Sequence, residues 1–331
     1  MDWPLFIFTF WHTSGAIFGC ITNLLLIYLC IFKSPKFIRV YGIFIINFAI
    51  TDFLECFFDM FLEFRSIPIP GETKVVWQFN GFCQFISLKS CQYGSSIFLH
   101  CIPYGYWSLL LSFSYRYYIL NHPGLERKHI LCALLIIYIP SFIQMITFSQ
   151  NLWDIQPALD LVYEKFPSYD MSNTLVTAFD IISSPSAFYA IAYSALPVYP
   201  VYISIFILRR KIIAGLDANK RLISKETKAM HQQMLKCLTY QTLIPVVMII
   251  AAGLYFLVQF GIVNNRGIEL AIMSIYLPMP VLSSLTYLFF VRPYREFCQR
   301  LFCKKISNAK LQFHSTGSKV GGRSQVSTVQ I

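Results

Sequence analysis

The sequence predicts an all-α fold, seven helices threaded through a bilayer with a short amphipathic surface helix after the last span. Three observations predict it. Of 331 residues, 56% are hydrophobic and 13% charged, against roughly 25% charged in an average soluble domain. Apolar stretches of about 20 residues, the length that crosses a bilayer core, recur seven times. Lys and Arg alternate between dense and sparse in successive connections. A soluble chain of this composition would expose large apolar patches and aggregate. The net charge of +11 is accounted for by topology, so no nucleic-acid partner is expected.

The spans read as 5–32, 40–62, 90–120, 130–149, 186–208, 235–260 and 267–291. The first has no basic leader and runs past the length of a signal-peptide core, so it reads as a span and not a cleavable signal. The third starts with polar residues and carries Pro103. Pro140, Pro197, Pro200, Pro245, Pro278 and Pro280 fall in later spans. Each removes a backbone hydrogen bond and can kink its helix; in the sixth and seventh spans such kinks can serve as pivots. With the N-terminus outside, the inner connections hold Lys33, Lys36, Arg39, then Arg116, Arg127, Lys128, then eight bases in 209–236 and eight after Val291. The outer side keeps only Arg65, Lys74, Lys89, Lys165 and Arg266. The asymmetry supports both the orientation and an odd number of spans. The outer loop 150–185 is acidic. Residues 1–305 read as one seven-span membrane domain, and 306–331, rich in Ser, Thr, Gly and Gln, as a disordered cytoplasmic tail.

Two polar constellations interrupt the apolar pattern. The second span carries Asp52, Glu55, Asp59 and Glu63 within one helical stripe. A charge at mid-bilayer costs ~2.5–3.5 kcal/mol on insertion scales, so these acids face the bundle interior or water. They can line an outward-open path for a cation, protons or a cationic ligand, or be protonated or paired. The third span offers Ser96, His100, Tyr104 and Trp107 on one face. Such a face can line a ligand pocket, or pack as core with His100 partnering an acid. His12 stands in the same position on the first span. The 10 Cys show no CxxC pair and no zinc spacing. His12 and His100 alone are too few for a membrane metallohydrolase, and no catalytic, cofactor or metal site is expected.

After the seventh span, Tyr294, Phe297, Cys298, Leu301 and Phe302 recur at helical spacing opposite Arg295, Glu296, Arg300 and Lys304. This pattern lies on the inner surface among membrane lipids, with Cys298 and Cys303 placed for palmitoylation. The long basic inner loop before the sixth span either follows from topology alone or docks a partner protein.

These features together resemble the rhodopsin-like receptor architecture. Gly19-Cys20-Ile21-Thr22-Asn23 resembles its first-span signature, NFAITD (47–52) its second-span Asp motif, and Tyr115-Arg116-Tyr117 stands where the Asp/Glu-Arg-Tyr motif stands. More specifically, FKSPKFIRVYGIFIINFAITD, LLLSFSYRYYIL, HQQMLKCLTYQTLIP and PVLSSLTYLFFVRPYR resemble the nematode serpentine chemoreceptors, class delta before its sister classes, over nearly the whole chain to about Cys303. The resemblance implies an olfactory-type receptor of a sensory-neuron membrane, in cilia, for a small-molecule or peptide ligand and a heterotrimeric G protein. It implies Arg116 and Tyr117 at the G-protein interface and Asn23 with Asp52 as a polar pivot or sodium site. Ligand candidates are Glu55, Asp59, Ser96, His100 and Tyr104. There are departures. Tyr115 replaces the acid before Arg116, Met279-Pro280 and Tyr287 only loosely echo Asn-Pro-x-x-Tyr, and the fourth-to-fifth loop has no Cys to bridge the third span. Cys83 and Cys91 are left as a possible local pair. The seventh span has no Lys for a retinal Schiff base. The alternative is a polytopic transporter or ligand-gated channel that uses the second-span acids, against which no inverted repeat is visible.

Overall fold

The computed structural model describes residues 2–34, 39–122, 124–150, 152–171, 174–218, 225–242, 244–263 and 265–301. Helix α1 (Trp3–Phe32) opens on Asp2, whose carboxylate accepts from the Leu5 amide, with Pro4 in the first turn where no N–H is missed. Its buried residues, among them His12, Ala16, Gly19, Asn23 and Leu26, recur every three or four positions and turn one stripe toward the bundle. A Cβ on Gly19 would collide with Cys56 Sγ, so α1 and α2 (Arg39–Leu62) approach at backbone distance. Helix α3 (Leu88–Asn121) starts on the Ser87 cap and packs against α2, α4 (Arg127–Ser149) and α7 (Val198–Ala218).

The last three spans are each in two pieces. Helices α6 (Pro185–Ala195) and α7 part at Leu196-Pro197. Helices α8 (Lys225–Gln241) and α9 (Ile244–Gln259) part ahead of Pro245, and α10 (Arg266–Ser274) and α11 (Pro278–Phe290) part at Pro278. Proline breaks the hydrogen-bond ladder at each place, while Pro103 and Pro140 are accommodated inside α3 and α4. Segments 3–32, 40–62, 127–149, 185–216 and 266–290 are long and apolar enough to cross a membrane by themselves. The third span is more polar, and among the described residues of the sixth an apolar helix covers 249–259. Both take their place through packing, α3 on α2 and α4, and α8 on α11. Helix α12, residues 292–301, follows α11. Tyr294 anchors it, fully buried with its hydroxyl 2.6 Å from Ser34 Oγ. Cys298 is half-buried there; Cys303 and the tail 306–331 lie outside the described residues.

The connections add a sheet that hydropathy does not reveal. Strands β1 (Phe64–Pro68), β2 (Lys74–Phe79) and β3 (Leu175–Asp180) run antiparallel in that order, with Phe64 opposite Phe79 and Trp77 opposite Thr177. Pro70-Gly71 turns the hairpin. Gly71 has φ 75°, and the Glu72 amide donates to Ile69 O at 3.1 Å, the pattern of a type II turn. One face of the sheet packs Ile67, Val76 and Ala178 on Ala158, Leu161 and Val162 of α5 (Ile155–Lys165). The other packs Phe64, Trp77 and Phe179 on Phe98, Phe148 and Ala190 of the bundle. The acidic loop 150–185 is therefore structured, as α5 and β3. A disulfide joins Cys83, in a 3-10 turn at Phe82–Phe85, to Cys91 in the first turn of α3. The chain reaches that turn by folding over the end of α2. A Cβ on Gly81 would lie 2.6 Å from Phe61 O and 2.7 Å from Met60 O, so only glycine passes there.

Candidate ligand cavity and coupling site

A cavity of about 380 Å³ lies under the sheet. Its ceiling is Phe64, Ser66, Val75, Trp77 and Phe179, and its walls come from α3, α6, α7, α9 and α10. No charged side chain lines it among the described residues. A volume of this size holds a small organic molecule. Tyr255 on its wall has a buried hydroxyl without a hydrogen-bond partner among the described residues.

The sheet is fastened as a lid on two sides. Arg65 of β1, 2% exposed, forms an ion pair with Glu269 of α10, which is 0% exposed. Its Nε donates to Glu269 Oε2 at 2.8 Å, its Nη1 to Gln78 Oε1 at 3.2 Å, and the guanidinium lies 4.6 Å from the Tyr169 ring centre. The Tyr169 hydroxyl donates to Glu269 Oε1 at 3.0 Å. Burial and that carboxylate push the Tyr169 hydroxyl up to about 12, so it stays a donor. A buried pair with every lone pair engaged holds well; stripped of one partner it leaves an uncompensated charge. On the other side the side-chain amide of Gln259, at the end of α9, donates to Ile69 O at 2.9 Å and to Glu72 O, and the Gln259 main-chain carbonyl accepts from the Gly71 amide at 3.2 Å. The hairpin tip is thereby hooked to the sixth span.

The four acids of α2 part company. Asp52 and Glu55 line a second cavity of about 80 Å³, with Gln241, Ser283, Tyr106 and Tyr202 among its other walls. Asp59 accepts from His12 Nδ1 at 2.7 Å, and His12 Nε2 lies 3.1 Å from Ser274 Oγ. Glu63 accepts from Thr13 Oγ1 at 2.5 Å. The stripe is thus not one continuous path: its outer two acids are engaged by α1.

From the small cavity a polar chain runs toward the other end of the bundle. Asp52 and Ser283 of α11 both line that cavity, and Asp52 Oδ2 is buried without a hydrogen-bond partner among the described residues. Ser283 Oγ accepts from Gln241 Nε2 at 2.9 Å, and Gln241 Oε1 accepts from the Tyr287 hydroxyl at 3.3 Å. Tyr287 faces Arg116. Arg116 is 3% exposed, with Nε and Nη1 unpartnered among the described residues. Instead of an acid at position 115, the ring of Tyr41 holds it, 5.0 Å from the guanidinium. Tyr115 packs on Tyr41 and Phe44. Tyr117 is half-buried under Lys211.

The remaining candidates fall elsewhere. Asn23 lines neither cavity; its amide donates to Gly19 O at 2.9 Å and to Pro280 O at 3.4 Å, tying α1 to α11. Ser96, His100 and Tyr104 also line neither cavity. Ser96 bonds to Gln92 O, His100 stacks on Tyr104 and meets Tyr138 of α4, and the Tyr104 hydroxyl donates to Asn47 at 2.6 Å. The α3 face that does line the cavities is Phe98, Leu99, Cys101, Ile102, Gly105, Tyr106 and Leu109. That face is mostly apolar, so a search for polar side chains passes it by; the spacing 98, 102, 105, 109 was the available signal. The lid residues Arg65 and Glu269 also escaped the sequence reading. An Arg in alternation with Phe64, Ser66 and Ile67 ahead of Pro-Gly was the hairpin signature.

A bundle with these spans, a lidded cavity at one end and a caged Arg at the other has the rhodopsin-type seven-helix fold. In fold, squid rhodopsin matches it with a TM-score of 0.63 at 15% identity, over 90% of this chain and 85% of that one. The family model described as serpentine type 7TM GPCR chemoreceptor Srd matches residues 8–300, and the chain belongs to that family. Among its relatives, serpentine receptor class delta-18 of Caenorhabditis elegans is 45% identical over 95% of this chain and 93% of its own length. Serpentine receptor class delta-19 of the same organism is 44% identical over 89% and 87%.

Proposed function

We propose that this receptor binds an external small molecule in the cavity beneath the lid and activates a heterotrimeric G protein at the opposite end. In this reading the lid and N-terminus face outward, and α12 and the C-terminal tail face the cytosol, in line with the skew of basic residues. A receptor for external ligands works on an exposed membrane, and we assign it to the cilia of a sensory neuron.

The observation that carries the reading is the hydrogen-bonded run Ser283, Gln241 and Tyr287, which starts on the wall that Asp52 and Ser283 share and ends beside the buried Arg116. The two cavities share the Ile102 wall, so a ligand in the larger one presses on the helix that bounds the smaller. A ligand that favours another arrangement of α9 against α11 shifts the population toward it. Gln241, at the end of α8, then leaves Ser283 and Tyr287, and the cover over Arg116 opens. Asp52 is the polar pivot, with room in its cavity for a few waters or one sodium ion; Asn23 braces α1 on α11 beside it. Arg116 and Tyr117 form the G-protein contact. Glu55 is the one polar ligand candidate on a cavity wall. Asp59, His100 and Tyr104 act through packing and hydrogen bonds between helices, and Ser96 through its bond to Gln92 O within α3. Cys298 is a site for a lipid anchor.

Cells carrying a calcium or cyclic-nucleotide reporter and screened over uncharged odorant classes test the reading. The intact receptor is expected to respond to at least one class, and Arg116→Ala to lose that response with surface expression unchanged. Normal signalling by Arg116→Ala would remove Arg116 from the mechanism.

A further inference from the structure

The lid raises a question of access, because the ion pair of Arg65 with Glu269 and the hook of Gln259 close the face through which a water-borne ligand would enter. The flank of the bundle is different. Helix α7 packs on α3, whereas α9 packs on α10 and β1, and the cavity lies between them. The residues that line it there are also turned outward: Leu196 and Tyr199 are 64% and 63% exposed, and Ile249 and Phe256 are 54% and 53% exposed. Ala252, between the last two, is exposed and has the smallest side chain on that rim apart from glycine. Leu196 and Tyr199 belong to a segment long and apolar enough to cross a membrane, and Ile249, Ala252 and Phe256 to the apolar helix stretch 249–259, so the mouth is read as opening at a depth where the solvent is lipid.

We propose that the cavity takes an uncharged, apolar small molecule with one hydrogen-bonding group, delivered from the bilayer between α7 and α9 while the lid stays shut. A charged ligand would meet no counter-charge in the lining and would have to shed its hydration both in the bilayer and in the cavity. A single alcohol, ketone or ester group is served by the Tyr255 hydroxyl, which is buried on the wall without a partner among the described residues. Dissolving such a molecule in the bilayer concentrates it at the mouth, and binding then exchanges one apolar surrounding for another.

This inference rests on the cavity being the ligand site, but its test does not use signalling, so it can fail independently of G-protein coupling. The probe is a ten-carbon aliphatic alcohol bearing a diazirine, mixed with receptor in nanodiscs and flashed at timed intervals, with labelled peptides mapped by mass spectrometry. Labelling is expected on the cavity walls of α7 and α9. Ala252→Trp, which plugs the mouth, is expected to slow it about tenfold, and Tyr255→Phe to lower labelling at long times about fivefold. The double variant Arg65→Met with Glu269→Leu, which unlatches the lid without stranding a buried charge, is expected to label at the wild-type rate. Should Ala252→Trp misfold, Ile249→Trp plugs the same rim. Faster labelling on unlatching, with the mouth variants unaffected, would place entry through the lid and overturn the proposal. Absence of label from the cavity walls would overturn it as well.

Discussion

At the scale of single residues, the lid buries a charge where its partners wait for it. Arg65 is the clearest case. It lies in a strand, 2% exposed, and every part of its guanidinium has an assigned role: Nε and Nη2 on Glu269, Nη1 on Gln78, and the plane on Tyr169. Arg65→Ala leaves the Glu269 carboxylate buried and unpaired, at a cost of about 3–5 kcal/mol. Thermal unfolding in detergent should show the midpoint falling by several degrees, whereas the Arg65→Met, Glu269→Leu pair should lose far less. Equal losses would mean that the ion pair is not what holds the lid. Sequence reading placed Arg65 only as an outer base, because its partner is 204 positions away. The cage around Arg116 was half legible. The missing acid at Tyr115 could be read directly, but its replacement by Tyr41 comes from another helix, and no local pattern announces it.

At the scale of elements, helices were legible and their interruptions partly so. Hydropathy marks a span because lipid imposes one length on every crossing, and the prolines at 197, 245 and 278 mark the breaks. The sheet was not found, since strands of five or six residues buried on both faces have no helical period and lie between stronger signals. Its edge has its own polar clasp. Asp180, at the end of β3, accepts from Thr73 Oγ1 at 2.6 Å, from the amides of Ile182 and Ser183 at 3.0 and 3.1 Å, and from Ser183 Oγ. The Thr73 hydroxyl first, and then those donors, hold its carboxyl down at about 2. An acid whose folded value is depressed adds stability that is complete above its unfolded value of about 4 and is lost as pH falls toward about 2. Hydrogen exchange at Ile181, Ile182 and Ser183 should therefore be constant from pH 7 to 5 once corrected for intrinsic rates. Protection should drop between about pH 4 and 2, and Asp180→Asn should show that loss already at neutral pH. Protection in Asp180→Asn equal to wild type would show that the carboxylate is not the clasp.

At the scale of the whole molecule, the charge asymmetry and the odd number of spans set the expected architecture before any contact is known, and the seven-transmembrane family model agrees with the number of spans. The cavities were not legible, because they depend on which face of α3 meets the centre. The polar face, His100 and Tyr104, meets α4 and α2 instead. The two ends of the receptor are joined through α8 and α11, where Cys237, Gln241, Ser283 and Tyr287 interlock beside Arg116. With Arg116 only 3% exposed, no partner can reach it in this arrangement, so the proposed G-protein contact calls for α8 to move away from α3. Spin labels at His122, at the end of α3, and Gln232, on the exposed side of α8, report that distance by pulsed electron resonance in nanodiscs. Adding nucleotide-free heterotrimeric G protein is expected to lengthen it by several ångströms, and Arg116→Ala to abolish the lengthening. A distance that stays fixed while the G protein binds would contradict the account.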